Sequence, residues 1–210
     1  LEEGTLKIGA STTVTQHVLL PYLKEFQNKY PNISISITNH LTTDLIKLLR
    51  NGSVDLLILN LPMKGQSDLE IKPFLTVHDI LVVGDKYKEL TTEKHIFSEL
   101  LDKEFIFQKL PSNTRSFLNQ WLVSEKIEIE PKFEVVSFNL VKDMTKIGMG
   151  IGYVTREFVA DELFKKELYE LEVSPSIPAR EIGIVTLNKN IPSFAARAFI
   201  ELIECSLANK

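Results

Sequence analysis

Short apolar segments alternate with helical patterns at the start of the chain, and this alternation limits the possible folds more than any other feature. Residues 6–10 form an apolar segment, and residues 19–26 repeat apolar side chains at i, i+3, i+4 and i+7, as one face of a helix does. Isoleucine alternates with polar residues over 33–38, which predicts a half-buried strand, and a second helical pattern covers 41–49. Residues 54–59 form a nearly continuous apolar run, which is typical of a strand covered on both faces. The order β-α-β-α-β predicts a parallel sheet with right-handed crossovers.

The same alternation restarts at Phe105 and predicts a second unit of the same kind. Its predicted strands are residues 105–108, 133–138 and 152–154, with helical patterns at 117–122 and 140–147. Further extended segments lie between and after the units, at 69–75, 79–84 and 182–187. We therefore predict an α/β fold with two lobes, in which residues 1–81 and 183–210 form lobe I and residues 82–182 form lobe II. Ligands bind outside the carboxyl ends of the strands in open α/β sheets, so a cleft between the lobes is the expected site.

Composition excludes several classes of protein. With 44% hydrophobic and 25% charged residues, the 210-residue chain is neither collagen-like nor disordered in composition. A single cysteine, Cys205, excludes an intrachain disulfide scaffold and favours a reducing compartment, so we expect a cytoplasmic protein. The 24 Lys and Arg against 28 Asp and Glu give a net charge of −4, which argues against direct contact with nucleic acid. No apolar run approaches the ~20 residues of a membrane span. The start lacks both a methionine and a signal-peptide layout, so we expect a fragment or a processed product.

No pattern in the sequence indicates catalysis, a metal or a cofactor. The four histidines have neither metal-ligand spacing nor a neighbouring cysteine, and His78 and Asp79 point to opposite faces if both lie on one strand. The glycines of residues 148–152 follow a helical pattern and precede a strand, whereas a phosphate-binding loop needs the reverse order. We predict a tight helix-to-strand turn there, and we predict no catalytic residue, no metal site and no cofactor.

Short polar side chains stand at three junctions between a predicted strand and the helix that follows it. The junctions are residues 11–13, 112–114 and 137–139. Unpaired backbone N–H groups point out of a helix start, and the helix dipole favours an anion there. Capping of the helix explains any one junction by itself. Three junctions at one cleft favour a further role, which is to hold a small anion or carboxylate without a basic pocket.

Two neighbouring residues leave alternatives open. Arg115 lies in the first turn of a predicted helix, where a cation opposes the helix dipole at a cost of about 0.3–1 kcal/mol. Its side chain either extends into water or meets an anion in the cleft. Gln108, at the end of a predicted strand, either faces the cleft or covers the edge of the sheet.

Several short motifs stand in a characteristic order along almost the whole chain. They are Gly4-Thr5-Leu6-Lys7-Ile8-Gly9, Leu20-Pro21 with Phe26, Tyr30-Pro31, Leu49-x-x-Gly52-x-x-Asp55-Leu56 and Ile147-Gly148-Met149-Gly150-Ile151-Gly152-Tyr153-Val154. In this order and spacing they resemble the effector-binding domain of LysR-type transcriptional regulators. Thr155 stands where the family pattern usually carries proline.

The resemblance implies a two-lobed fold like that of type 2 periplasmic binding proteins, with a small effector, expected to be an anion or carboxylate, in the cleft between the lobes. It implies effector contacts at the positions that match the family's, which are Ser11, Thr12, Thr13, Gln108, Ser112, Asn113, Thr114, Ser137 and Phe138. It also implies a non-enzymatic protein without a cofactor or a membrane partner, which assembles as a homodimer or tetramer. Contact with DNA would be made through an N-terminal winged helix-turn-helix that this chain does not contain.

Two other functions fit parts of the sequence. The first is a solute-binding protein of a transporter, which shares the two-lobed fold. The second is an enzyme similar to prephenate dehydratase, which carries a Thr-Arg-Phe motif near an asparagine. Here the segment 113–117 interrupts that motif with Ser116, and the rest of the chain fits the regulator better.

Overall fold

The structure, a computed structural model, describes residues 3–63, 67–188 and 192–208. The chain divides into two compact units, which we call unit 1 (residues 1–76 and 181–210) and unit 2 (residues 77–180). The predicted lobe boundaries, 81/82 and 182/183, lie a few residues later in the chain. In the structure the chain enters unit 2 at Val77 and leaves it after Arg180.

The described residues form twelve strands and seven α-helices. The strands are β1 Gly4–Ala10, β2 Ile33–Asn39, β3 Leu56–Asn60, β4 Leu69–Val77, β5 Asp79–Val83, β6 His95–Ile96, β7 Phe105–Gln108, β8 Phe133–Val135, β9 Ile151–Thr155, β10 Tyr169–Leu171, β11 Val173–Ser174 and β12 Arg180–Leu187. The helices are α1 Thr12–Val14, α2 Leu20–Lys29, α3 Thr42–Arg50, α4 Asn113–Ser124, α5 Phe138–Lys146, α6 Ala160–Phe164 and α7 Phe194–Ala208. A π-helical turn, Thr15–Leu19, makes α1 and α2 one continuous helical segment.

Unit 1 is built on a five-stranded sheet in the order β2-β1-β3-β12-β4. Strand β1 is parallel to β2 and β3, as the first β-α-β-α-β pattern predicts, and β12 joins β3 in the antiparallel sense. The predicted apolar run is fully buried at Leu56, Leu57 and Ile58. Helix α3 packs Leu45 on one face of the sheet. Helices α2 and α7 meet through an edge-to-face contact of Phe26 and Phe199, with ring centroids 5.4 Å apart.

Unit 2 is built on a second five-stranded sheet in the order β10-β5-β9-β7-β8. Strand β7 is parallel to β8 and β9, so the second β-α-β-α-β unit is also confirmed. Strand β5 pairs with β9 and β10 in the antiparallel sense. The core of this unit is rich in aromatic side chains, with Phe97 stacked on Phe105 and in edge contact with Trp121.

One predicted element is shorter in the structure than the sequence indicates. The strand expected over 133–138 ends at Val135, and Phe138 is the first residue of α5. The cause is Ser137, whose hydroxyl accepts a hydrogen bond from the N–H of Leu140 and so begins the helix. Val136 is 81% exposed and lies in neither element.

The glycine-rich segment 148–152 forms the predicted turn from helix to strand. Gly148 follows α5 with a φ of +77°, a left-handed conformation that favours glycine. A Cβ at Gly150 would overlap the backbone oxygen of Glu104, so only glycine lets these two backbones approach. In the part of the chain that the structure describes, no helix has the length and apolar character needed to cross a membrane.

Candidate functional site

Two of the three polar junctions lie at one edge of unit 2. Because β7, β8 and β9 are parallel, their carboxyl ends share that edge, and α4 and α5 begin just after β7 and β8. Gln108 ties the two junctions together, since its Nε2 donates to the carbonyl oxygen of Val136 at 3.2 Å. The side chain of Gln108 therefore lies along this carboxyl edge, where the effector site is predicted.

The start of α4 is capped by Ser112. Its Oγ accepts from the N–H of Arg115 at 3.5 Å and donates to Oε1 of Gln108 at 3.3 Å. Asn113 and Thr114 are the first two helical residues, so their N–H groups precede the first hydrogen bond within the helix. The side chain of Thr114 is buried and its Oγ1 accepts from Arg180 at 3.5 Å. The hydroxyl oxygen of Thr114 therefore contacts the buried Arg180.

The start of α5 is capped in the same way by Ser137. The ring of Phe138 is only 5% exposed and packs edge to face on Phe158, with ring centroids 5.9 Å apart. The ring is therefore part of the core, and the group that Phe138 can offer to a ligand is its main-chain N–H.

The third junction lies in unit 1, at the carboxyl end of β1. Ser11 Oγ accepts from the N–H of Val14 at 3.2 Å, and Thr15 Oγ1 donates to the carbonyl oxygen of Ser11 at 3.0 Å. Thr12 is exposed and Thr13 is half-buried. Asn39, at the end of the neighbouring β2, donates from Nδ2 to Ala10 at 3.0 Å and to Thr15 at 2.9 Å. Thr15 and Asn39 hold this junction in place and are not among the predicted site residues.

The three junctions share one arrangement. In each, a serine hydroxyl accepts from the third N–H of the helix, while the first two N–H groups point out of the helix end. Helix N-termini of this kind carry a partial positive charge and bind anionic oxygens. Among residues 3–63, 67–188 and 192–208, no group of three or more His, Cys, Asp or Glu side chains could hold a metal ion.

Arg115 does not extend into water. Its side chain is almost fully buried, with the guanidinium 4.8 Å from the ring centroid of Phe107. Nε donates to Asn119 Oδ1 at 2.7 Å, and Nη1 donates to Glu134 Oε1 at 2.9 Å. Burial lowers the pKa of Arg115, and the carboxylate of Glu134 opposes part of that change. Of the two alternatives for Arg115, extension into water is therefore wrong, because the side chain is buried and pairs with the carboxylate of Glu134 on β8.

A buried polar network in unit 2 was missed by the sequence analysis. Asp79 and Arg180 form an ion pair, with Nε to Oδ2 at 2.5 Å and Nη2 to Oδ1 at 2.9 Å, and both residues are less than 5% exposed. Tyr153 and Thr155 each donate a hydroxyl to Asp79, at 2.8 and 2.7 Å. Burial and the nearby carboxylate raise the pKa of Tyr153 well above its ordinary value. A signal was present in the sequence, because Asp79 directly precedes an apolar run and a buried carboxylate needs a partner.

Two α/β units, each with polar helix starts at the carboxyl edge of its parallel strands, are the architecture of the periplasmic-binding-protein-like fold. The family model for the LysR substrate binding domain matches residues 1–208, and the chain belongs to that family. The resemblance to LysR-type regulators in the sequence is thereby confirmed.

Several relatives of this chain are transcriptional regulators. The HTH-type transcriptional regulator CysL of Bacillus subtilis is 25% identical over 184 residues, which are 87% of this chain and 61% of CysL. The chain spans about three fifths of the length of the curated relatives it matches. The regulatory domain of CcmR from Synechocystis PCC6803 in complex with 2-PG has a TM-score of 0.88 at 22% identity, with 99% of each chain covered. The effector binding domain of QuiR in complex with shikimate has a TM-score of 0.84 at 18% identity, also with 99% of each chain covered. At these identities the two structures establish the fold.

Proposed function

We propose that this chain is the ligand-sensing regulatory domain of a LysR-type transcriptional regulator, and that its effector is a small molecule with carboxylate or other anionic oxygens. The observation that carries the proposal is the shared arrangement of three serine-capped helix starts, each with outward N–H groups. The 2-PG and shikimate complexes of CcmR and QuiR support a small effector on this fold.

The effector contacts Ser11–Thr13 of unit 1 and Ser112–Thr114 of unit 2, with Gln108, Ser137 and the N–H of Phe138 completing the site. Main-chain N–H groups and helix dipoles supply the positive potential, so a basic pocket is not required. An effector that binds one arrangement of the two units more tightly shifts the equilibrium toward it, and only that difference in affinity can transmit a signal.

The signal is read by DNA-binding domains outside this chain, which we propose to be winged helix-turn-helix domains in a cytoplasmic homodimer or tetramer. The chain itself catalyses no reaction. The buried pairing of Arg115 with Glu134 supports this, because the arginine of the Thr-Arg-Phe-like segment is committed to a protein carboxylate.

The first test is a thermal-shift and calorimetric titration with shikimate, other carboxylates, inorganic phosphate and sulfate. A ligand at about 100 times its Kd stabilises a folded domain by about 2.7 kcal/mol, which raises the Tm by about 5–10 °C at this chain length. A panel of small carboxylates and phosphates that leaves the Tm unchanged would contradict the proposed effector class.

The second test removes one N–H group without disturbing the helix. Asn113 is the first residue of α4, where proline is tolerated, and Ser112 has the extended ψ of 132° that a residue before proline requires. Asn113→Pro should lower the affinity about tenfold or more relative to Asn113→Ala, because a hydrogen bond to a charged group is lost. Thr12→Pro and Thr12→Ala form the same pair in unit 1. Equal affinities within each pair would show that these N–H groups do not contact the effector.

A further inference from the structure

The buried ion pair of Asp79 and Arg180 has no role in the function described so far. Buried ion pairs are weak evidence for stability, because apolar residues of similar volume often stabilise a fold as well or better. This pair nevertheless has a complete set of partners, since the hydroxyls of Tyr153 and Thr155 donate to the carboxylate. The residues that the ion pair connects therefore indicate its role better than its contribution to stability does.

The pair joins four separate chain segments at one place in unit 2. Asp79 is the first residue of β5, opposite Thr155 at the end of β9, and Arg180 is the first residue of β12. Nη2 of Arg180 donates to Thr155 at 2.9 Å and to Thr114 at 3.5 Å. The start of α4 is thus tied to the points where the chain enters and leaves unit 2.

The contact between Arg180 and Thr114 determines how Thr114 can bind a ligand. A guanidinium has only donors, so Thr114 Oγ1 must act as the acceptor in this contact. The hydroxyl proton of Thr114 is then directed toward a different acceptor. The main-chain N–H groups of Asn113 and Thr114 are also donors, so the main chain at the start of α4 and the Thr114 hydroxyl together offer donors.

We propose that Asp79 and Arg180 are positioning residues that hold Thr114 as a hydrogen-bond donor, so that the start of α4 selects an anionic oxygen over an amide or hydroxyl donor. The proposal rests on the function proposed above, because it assigns the chemistry of the effector group at α4. It adds two residues that lie outside the predicted site and gives a role to the contact between Arg180 and Thr114.

The experiment compares Arg180→Lys with Arg156→Lys in the same chain. Lysine keeps the charge, but it is a single point donor and cannot contact Asp79, Thr155 and Thr114 together. Arg156 is the control because it also pairs with a carboxylate, that of Glu170 on β10. Two quantities are measured: the amide NMR signals of Asn113 and Thr114 without ligand, and the ratio of affinities for shikimate and its carboxamide.

In the ligand-free protein, Arg180→Lys should shift the Asn113 and Thr114 signals and speed their hydrogen exchange, while Arg156→Lys leaves them in place. The wild-type chain should prefer shikimate over the carboxamide, and Arg180→Lys should reduce that preference about tenfold, since one positioned donor is lost. Thr114→Val should reduce the preference for shikimate by the same factor, and Thr114→Ser, which retains the hydroxyl, should keep the wild-type preference. This set of Thr114 variants keeps the test decisive if Arg180→Lys does not fold.

Unchanged α4 signals in Arg180→Lys, or an unchanged preference in Thr114→Val, would overturn the positioning role. An equal effect of Arg156→Lys would overturn it too, because a general loss of stability would then explain the result. If the wild-type chain binds no carboxylate or phosphate of the titration panel while the ligand-free signals of Arg180→Lys shift as expected, the positioning of Thr114 stands and the proposed effector class fails.

Discussion

Asp79→Ala should be one of the most destabilising single substitutions in unit 2. It removes the carboxylate that accepts from Tyr153, Thr155 and Arg180 and leaves Arg180, 4% exposed, as a buried charge without its acid. Breaking a buried ion pair from one side costs about 3–5 kcal/mol in the free energy of unfolding. That is a large part of the ~5–15 kcal/mol that keeps a typical domain folded.

The double variant Asp79→Ala with Arg180→Met separates the cost of an unpaired charge from the cost of lost packing. With both charges gone, no uncompensated ion remains in the core, and we expect the stability to return to within about 1–2 kcal/mol of the wild-type chain. A double-mutant cycle with the two single variants then gives the coupling energy of the pair.

Tryptophan fluorescence during urea unfolding measures this effect directly. The chain has one tryptophan, Trp121, which is 7% exposed in the aromatic core of unit 2, so its emission reports on that unit. With a denaturant slope of about 2 kcal/mol per M, the loss for Asp79→Ala moves the urea midpoint down by about 2 M. A shift below about 0.5 M, or a double variant as unstable as the single one, would refute the account of the buried pair.

Three further outcomes follow from contacts in unit 2. Gly152→Ala places a Cβ against Oγ1 of the fully buried Thr145, so it should cost about 1–3 kcal/mol, and adding Thr145→Ala should restore part of the urea midpoint. An unaffected midpoint would contradict this packing. Ser137→Ala removes the cap of α5 and should lower the free energy of unfolding by about 1 kcal/mol, whereas Ser137→Asp should keep the cap and the Tm. A loss of similar size in both variants would mean that the hydroxyl is not acting as a cap. Burial raises the pKa of Glu162, but the ammonium of Lys142 at 2.7 Å outweighs it and holds that pKa below the ordinary value. The pairing of Glu162 with Lys142 stabilises the fold above the ordinary glutamate pKa, and this stabilisation is lost as the pH falls through the lowered pKa. Between about pH 6 and pH 3, the urea midpoint of Glu162→Gln should therefore fall less than that of the wild-type chain. Parallel curves of urea midpoint against pH for the two proteins would refute the linkage.

The architecture was predictable because burial follows the periodicity of the sequence. Leu6 and Ile8, which the first apolar segment predicts as a strand, are fully buried on β1. The end of β8 was not predictable in this way, because the apolar pair before Ser137 favours extending the strand. The cap at Ser137 begins a helix instead, and its contribution is a single hydrogen bond that a periodicity pattern does not contain.

The candidate site was predictable only in outline. Helix-end chemistry located all three junctions, because a serine followed by a helical pattern is a local signal. Thr114 contacts Arg180, which lies 66 residues away in the chain. The burial of Arg115 likewise depends on Glu134, 19 residues away. Partners brought in by tertiary structure leave no mark on the local pattern, so these side-chain roles required coordinates.

The central claim is that helix starts in both units hold one anionic effector, and a crystal structure with an effector found by titration tests it most directly. We expect anionic ligand oxygens at about 2.7–3.1 Å from main-chain N–H groups of Thr12 or Thr13 and of Asn113 or Thr114 in the same complex. A well-ordered ligand that touches neither segment 11–13 nor segment 112–114 would contradict the claim.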